Sequence, residues 1–139
     1  MSDYIPADLR RRVRAHFSQC CAYCRSSEAL TVVTFEVEHI HPQSLGGPTE
    51  FENLCLACPT CNRHKSNRIV GFTEEGVESR LFHPQRDNWL DHFDWSISGV
   101  VIVGLSDVGT ATINLLKMNR PQLVEVRSLW VTVGKHPPS

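Results

Sequence analysis

Cys21-Ala-Tyr-Cys24, Phe35-Glu-Val-Glu38-His39-Ile-His41-Pro42, Gly46-Gly47-Pro48, Glu52-Asn53-Leu54-Cys55 and Cys58-Pro-Thr-Cys61-Asn62-Arg63-His64-Lys65 follow one another between residues 21 and 68. Two C-x-x-C pairs bracket a Glu-His dipeptide and two asparagines. Four thiolates, from Cys21, Cys24, Cys58 and Cys61, suit one tetrahedral zinc ion. Such a site has no open position, so its expected role is structural, a clip for a short domain with a long proline-glycine loop. The bracketed residues suit different chemistry: a second, oxygen-rich metal site beside a histidine base. Cys20 and Cys21 are adjacent, and Cys21 gives the C-x-x-C spacing. Cys20 then reads as a buried thiol and Cys55 as a core residue.

Outward from these pairs the chain alternates short elements. Upstream, Pro6 suits a first helical position, and Leu9, Val13 and Phe17 recur at helical spacing on one face. Arg10, Arg11 and Arg14 fall away from that stripe, as a solvated face or a phosphate-contacting edge. Residues 30–39 are rich in Val, Thr and Phe and free of Gly and Pro, which predicts a strand. The prolines and Gly46-Gly47 break it into a loop. Residues 51–57 predict the returning strand, and Asn62 onward a short helix ending before Gly71.

Downstream, Glu74-Glu75-Gly76 reads as an exposed turn. Residues 95–104 read as a hairpin turning near Ser98-Gly99. Asp107 is the expected cap of a helix over 111–118. A second helix is expected over 122–133, with Leu123, Val126 and Trp130 on one face. The expected division is a core with its N-terminal helix over 1–70 and an extension over 71–139 packed on it through Trp89, Trp95 and Trp130.

Composition bounds the rest. A chain of 139 residues with net charge -1 lacks the basic excess that usually drives non-specific phosphate binding. Its positive charge is local, at Arg10, Arg11, Arg12 and Arg14, then at Arg63, Lys65 and Arg68. No apolar run reaches the roughly 18 residues of a membrane helix. No signal-peptide segment is seen, so a cytoplasmic protein with reduced cysteines is expected rather than a secreted disulfide scaffold.

Glu38-His39-Ile40, Pro42, Gly46-Gly47, Asn53-Leu54 and the run from Cys58 to Lys65 resemble the HNH endonuclease family, whose core is a ββα-metal fold. The paired C-x-x-C motifs match its zinc-stabilised branch, and the resemblance covers roughly residues 15–70. Beyond it, His83-Pro84, the tryptophans and Asn119-Arg120-Pro121 resemble, more weakly, an extension seen on some small members. The resemblance implies an α+β fold: a treble-clef-like ββα-metal core with zinc knuckles, then a C-terminal β-hairpin and two helices.

By the same resemblance His39 is the general base. Glu38, where many members carry Asp, is the acidic metal ligand. Asn62 is the second protein ligand, which makes this an H-N-N variant. Asn53 holds the loop behind the base through side-chain to backbone bonds. Lys65 either neutralises phosphate charge or is simply solvated. His64, two residues from Asn62, falls on another helix face, and His41 is a weaker candidate from the loop. Zn²⁺ is implied as the structural ion and Mg²⁺ or Mn²⁺ as the catalytic one. The implied activity is hydrolysis of phosphodiester bonds in DNA, with RNA as a further substrate class, by a monomer or homodimer away from membranes. The alternative is a zinc-stabilised nucleic-acid-binding module without catalysis, or a zinc domain that binds protein. Both leave Glu38-His39 and Asn62 without a role.

Overall fold

A computed structural model describes residues 4–138. Helix α1 (Ala7–His16) lays Val13 into the core, with Phe17 just beyond its end. Pro6 is its N-cap and not its first helical residue, because its carbonyl accepts the first helical bond, from Arg10 N at 3.0 Å. The arginines of α1 have separate fates. Arg11 pairs with Asp8, and Arg12 lies over the Phe51 ring at 4.5 Å. Arg14 is half-buried: it donates to Glu28 at 2.6 Å and to the Phe35 carbonyl at 2.8 Å, fixing α1 to the chain that enters the first strand.

Ser18 and Gln19, both at positive φ, turn the chain out of α1 into the first cysteine knuckle. Ala22 N then donates to Leu56 O at 2.7 Å, tying the knuckle to the sheet. Strand β1 (Glu36–His39) pairs antiparallel with β2 (Leu54–Ala57), with Glu36 opposite Ala57 and His39 opposite Leu54. Both strands are shorter than the sequence suggests. Residues 28–30 form a 3-10 turn, and Val32 and Val33 are exposed. A β-branched run becomes a strand only where a neighbour takes up its backbone groups, and β2 is four residues long. Residues 51–53 form another 3-10 turn.

Helix α2 (Pro59–Lys65) starts three residues before the expected Asn62. Pro59 supplies its first position, and the Cys58 sulfur caps it by accepting from Cys61 N at 3.4 Å. The order β1, β2, α2 completes a ββα unit.

The remaining chain builds two more hairpins, one beyond expectation. Strands β3 (Val70–Phe72) and β4 (Glu78–Arg80) pair across a turn containing Gly76 at φ 85°. The expected division between residues 70 and 71 falls inside β3. A short helix α3 (Trp89–His92) leads into β5 (Phe93–Trp95), which pairs with β6 (Ile102–Gly104). Helix α4 (Asp107–Leu116) is capped by Ser106, whose hydroxyl accepts from Gly109 N at 3.0 Å; Asp107 is its first residue and not its cap. Helix α5 (Pro121–Thr132) follows, with Leu123 and Trp130 buried.

This C-terminal half packs on the ββα unit. Trp89 Nε1 donates to Tyr23 O at 3.0 Å, and Gln85 Nε2 bonds the Phe51 and Leu54 carbonyls at 2.9 Å each. Arg127 is fully buried in α5 and reaches Met118 O at 2.7 Å and Val100 O at 3.0 Å.

Candidate active site and metal centre

The sulfurs of Cys21, Cys24, Cys58 and Cys61 lie within 4.8 Å of one another, all four buried. Cys24 and Cys58 sulfurs are 3.9 Å apart. Four sulfurs at about 2.3 Å from a central zinc stand about 3.8 Å from one another, whereas a disulfide needs about 2.05 Å. The cluster is therefore consistent with a zinc site. All six cysteines are free thiols; Cys20 and Cys55 are buried outside the cluster. The first knuckle uses Cys21, and the second is the first turn of α2.

Arg120, from the N-terminal edge of α5, reaches the same sulfurs. Its guanidinium donates to Cys58 Sγ at 3.6 Å and to Cys61 Sγ at 3.8 Å. Burial disfavours its charge, yet the cysteine sulfurs more than offset this and raise its pKa. Four thiolates on a divalent ion carry net negative charge, and a guanidinium beside them neutralises part of it. Nothing in the sequence assigned Arg120 this place, because it lies 59 residues beyond Cys61.

A second site opens on the other side of α2. A surface cavity of about 620 Å³ is bordered by Glu36, Glu38, His39, Asn62, Arg10 and Arg14. Residues two apart on a strand share a face, so Glu36 and Glu38 stand together on β1. Asn62 Nδ2 donates to Glu36 Oε1 at 2.6 Å, which holds the amide at the cavity. Glu36 is a member of this group that the sequence reading left out; its spacing of two from Glu38 was the available signal.

Glu38 is buried, and among the described residues its Oε1 accepts only a weak contact, from the Cys55 thiol at 3.8 Å. Burial pushes its carboxyl up to about 7, partly offset by the positive charge of Lys65. A buried carboxyl with so little donor support gains most from a nearby cation. Glu36, Glu38 and Asn62 border the same cavity, and carboxylate and amide oxygens are hard donors that suit Mg²⁺ or Mn²⁺ better than a soft metal.

His39 ends β1 half-buried, and its Nε2 meets the Thr49 hydroxyl at 2.8 Å. The loop behind it is held by Asn53. Its Oδ1 accepts from His41 N at 2.9 Å, and its Nδ2 donates to His41 O at 3.0 Å and Pro48 O at 2.8 Å. Gly47 passes so close that a Cβ there would stand 1.8 Å from His41 O. Glycine is thus required for the loop to close under His39.

Lys65 lies elsewhere than the sequence reading placed it. It is neither solvated nor at the surface of this cavity: it is buried, with Nζ donating to Ile40 O at 2.9 Å. Its charge acts on Glu38 from within. His64 faces Arg120 and Lys117, away from the cavity, and burial with those cations lowers its pKa. His41 is exposed, with Nε2 at 3.2 Å from Leu45 O, and does not border the cavity.

A ββα unit carrying a four-cysteine cluster on one side and an acid-histidine-asparagine cavity on the other defines a class. Residues 21–68 match the HNH endonuclease family model. The chain is also 30% identical over 144 aligned residues to the Septu protein PtuA of Bacillus mycoides (strain KBAB4). That alignment takes in 86% of this chain and 20% of the relative, so the chain spans about a fifth of the relative's length. No solved structure matches significantly. Among the described residues no helix is long and apolar enough to cross a membrane.

Proposed function

We propose that this chain is a divalent-metal-dependent endonuclease that hydrolyses phosphodiester bonds of DNA. The observation that carries the reading is the shared cavity of Glu38, His39 and Asn62, drawn from β1 and α2 and joined by Glu36. His39 is the general base: a neutral imidazole takes a proton from the attacking water, with Thr49 holding the ring. Glu38 and Asn62, with Glu36 beside them, would hold Mg²⁺ or Mn²⁺. When bound, that ion stabilises charge on the phosphate and on the leaving 3′-oxygen.

Arg10 takes the phosphate-facing role that the buried Lys65 does not fill. It borders the cavity and is exposed, and among the described residues its side chain makes one hydrogen bond, from Nε to Ile5 O at 3.0 Å. Its terminal amino groups are available for a phosphate oxygen. Asn53 positions the loop under His39. The cysteine cluster holds zinc and stays outside the chemistry. Residues 1–70 carry the reacting groups, and residues 71–139 support them. One cavity per chain cuts one strand, so a double-strand break needs a homodimer or two nicks by a monomer.

The test is conversion of supercoiled plasmid to nicked circles by zinc-loaded protein, with and without added Mg²⁺ or Mn²⁺. Nicking is expected only with the added metal. Zinc-loaded, folded protein that leaves plasmid intact with either metal contradicts the reading and favours a non-catalytic nucleic-acid-binding module.

A further inference from the structure

A second cavity, of about 460 Å³, lies beyond the Ile40–His41 turn and has no part in the chemistry above. Its wall is apolar, with Leu81 and Phe82 buried and Ile69 exposed at the edge. Its charge is concentrated and positive in a chain whose net charge is -1. Arg68 and Arg86 are exposed on it, and among the described residues neither guanidinium is hydrogen-bonded or ion-paired. Lys65 lies buried beneath. The acid in the lining, Asp87, is already committed: it takes both arms of Arg80 at 2.7 and 3.1 Å and the His83 backbone N–H at 2.8 Å. His83 Nδ1 accepts from the backbone N–H groups of Gln85 at 3.2 Å and Arg86 at 3.1 Å, which leaves Nε2–H as the ring's donor.

An apolar wall under a cationic rim matches a nucleotide: the base lies on the wall and its phosphate meets the guanidiniums. The location adds a constraint. His41 borders this cavity and His39 borders the other, and two peptide steps separate their Cα atoms by at most about 7.6 Å. That span equals about two nucleotide steps of a stacked strand. A base paired and stacked within a duplex cannot enter a pocket, whereas an unpaired or extruded one can.

We propose that this cavity receives an unstacked nucleotide of the substrate strand, one or two positions from the scissile phosphate. The enzyme then prefers single-stranded, mismatched or otherwise distorted nucleic acid to perfect duplex. The proposal rests on the nuclease reading and names the form of its substrate.

Two measurements test it on the full zinc-loaded chain. The first is anisotropy of labelled single-stranded and duplex oligonucleotides with the His39→Ala protein, which binds without cutting. Single strand is expected to bind at least about fivefold more tightly. Adding Arg68→Glu and Arg86→Glu, both at exposed positions, should weaken single-strand binding by about tenfold or more. It should also flatten the salt dependence by about 1.4 in log–log slope, for two lost phosphate contacts at about 0.7 each. The second is a scan of single abasic positions with protein of native sequence. One position, one or two nucleotides from the cut, should slow cleavage by about tenfold, and more distant positions by less than about twofold. Binding within twofold after both arginine changes, or a flat abasic scan, overturns the proposal. If the native chain cuts and either result is seen, this inference alone fails; if it neither binds nor cuts, the nuclease reading fails with it.

Discussion

Cys61 and Asn62 are consecutive in α2 yet belong to sites of opposite character. Cys61 turns inward to three other sulfurs, fully buried and backed by a guanidinium from α5. Asn62 turns toward a carboxylate on β1, at a cavity open to solvent. A complete soft-donor shell gives an ion no vacancy for substrate, so it holds the fold together. A partial hard-donor shell beside a histidine leaves positions for water and phosphate. One short helix thus fixes the distance between the cysteine cluster and the acid-histidine cavity. Damage to the first should appear as unfolding, and damage to the second as lost turnover in a folded protein.

The largest expected effect lies on the cysteine side. Structural zinc contributes about 10–16 kcal/mol of apparent binding energy, as much as the 5–15 kcal/mol net stability of a typical domain. Cys58→Ser, which removes one of the four sulfurs while its hydroxyl can still cap α2, should abolish stoichiometric zinc and cooperative thermal unfolding. Cys20→Ser should leave one zinc per chain by elemental analysis. Retained zinc and an unchanged melting temperature in the Cys58 variant would erase the distinction between the two sites.

On the cavity side the effect is smaller and depends on pH. The folded-state pKa of Glu38, about 7, lies above its ordinary value of 4.5, so the folded chain holds this proton more tightly than the unfolded chain does. Without divalent metal its contribution is full below pH 4.5 and is lost as pH rises through 7, a change on the order of 3 kcal/mol. Melting temperature should therefore fall between about pH 4.5 and 7 in zinc-loaded protein lacking Mg²⁺ and Mn²⁺, and level off above that. Glu38→Gln should flatten that fall, and Mn²⁺ binding to the native chain should tighten over the same range. A native profile identical to that of Glu38→Gln would show that Glu38 does not titrate there.

The smallest effect belongs to Arg120. Its long N–H···S contacts sit at the weak end of charged hydrogen bonds, so Arg120→Gln should cost about 1 kcal/mol, a few degrees in melting temperature. Zinc should also leave faster to a chelator, while metal-dependent nicking persists. A loss of nicking without loss of zinc would place Arg120 in the reaction.

The four clustered cysteines were legible because C-x-x-C spacing is local and the zinc chemistry it suits is strict. Glu38, His39 and Asn62 were legible as a motif, and the fold sets them around one cavity. What escaped reading is whatever depends on distant partners. Residues 30–35 look like strand by composition, but β2 is too short to pair with them. Lys65 sits on a helix face that spacing alone cannot tell from a solvated one; its burial comes with a bond from Nζ to the Ile40 carbonyl, 25 residues away in the chain. Nothing local in the sequence marks Arg120 or Arg127, yet one sits on the cysteine sulfurs and the other is fully buried. The hairpin β3–β4 was read only as a turn, because its strands are three residues each.

The central claim is that His39 moves a proton while Glu38 and Asn62 hold the metal. It is tested by plasmid-nicking rates against Mn²⁺ concentration for His39→Ala, Glu38→Ala and Asn62→Ala, each checked for zinc content and folding. His39→Ala should lose about 10²–10⁴-fold in rate at every Mn²⁺ concentration, since added metal cannot replace a base. Asn62→Ala should recover part of its rate as Mn²⁺ rises, and Glu38→Ala less of it. Rescue of His39→Ala by metal, or a near-native rate in that variant, would contradict the assignment.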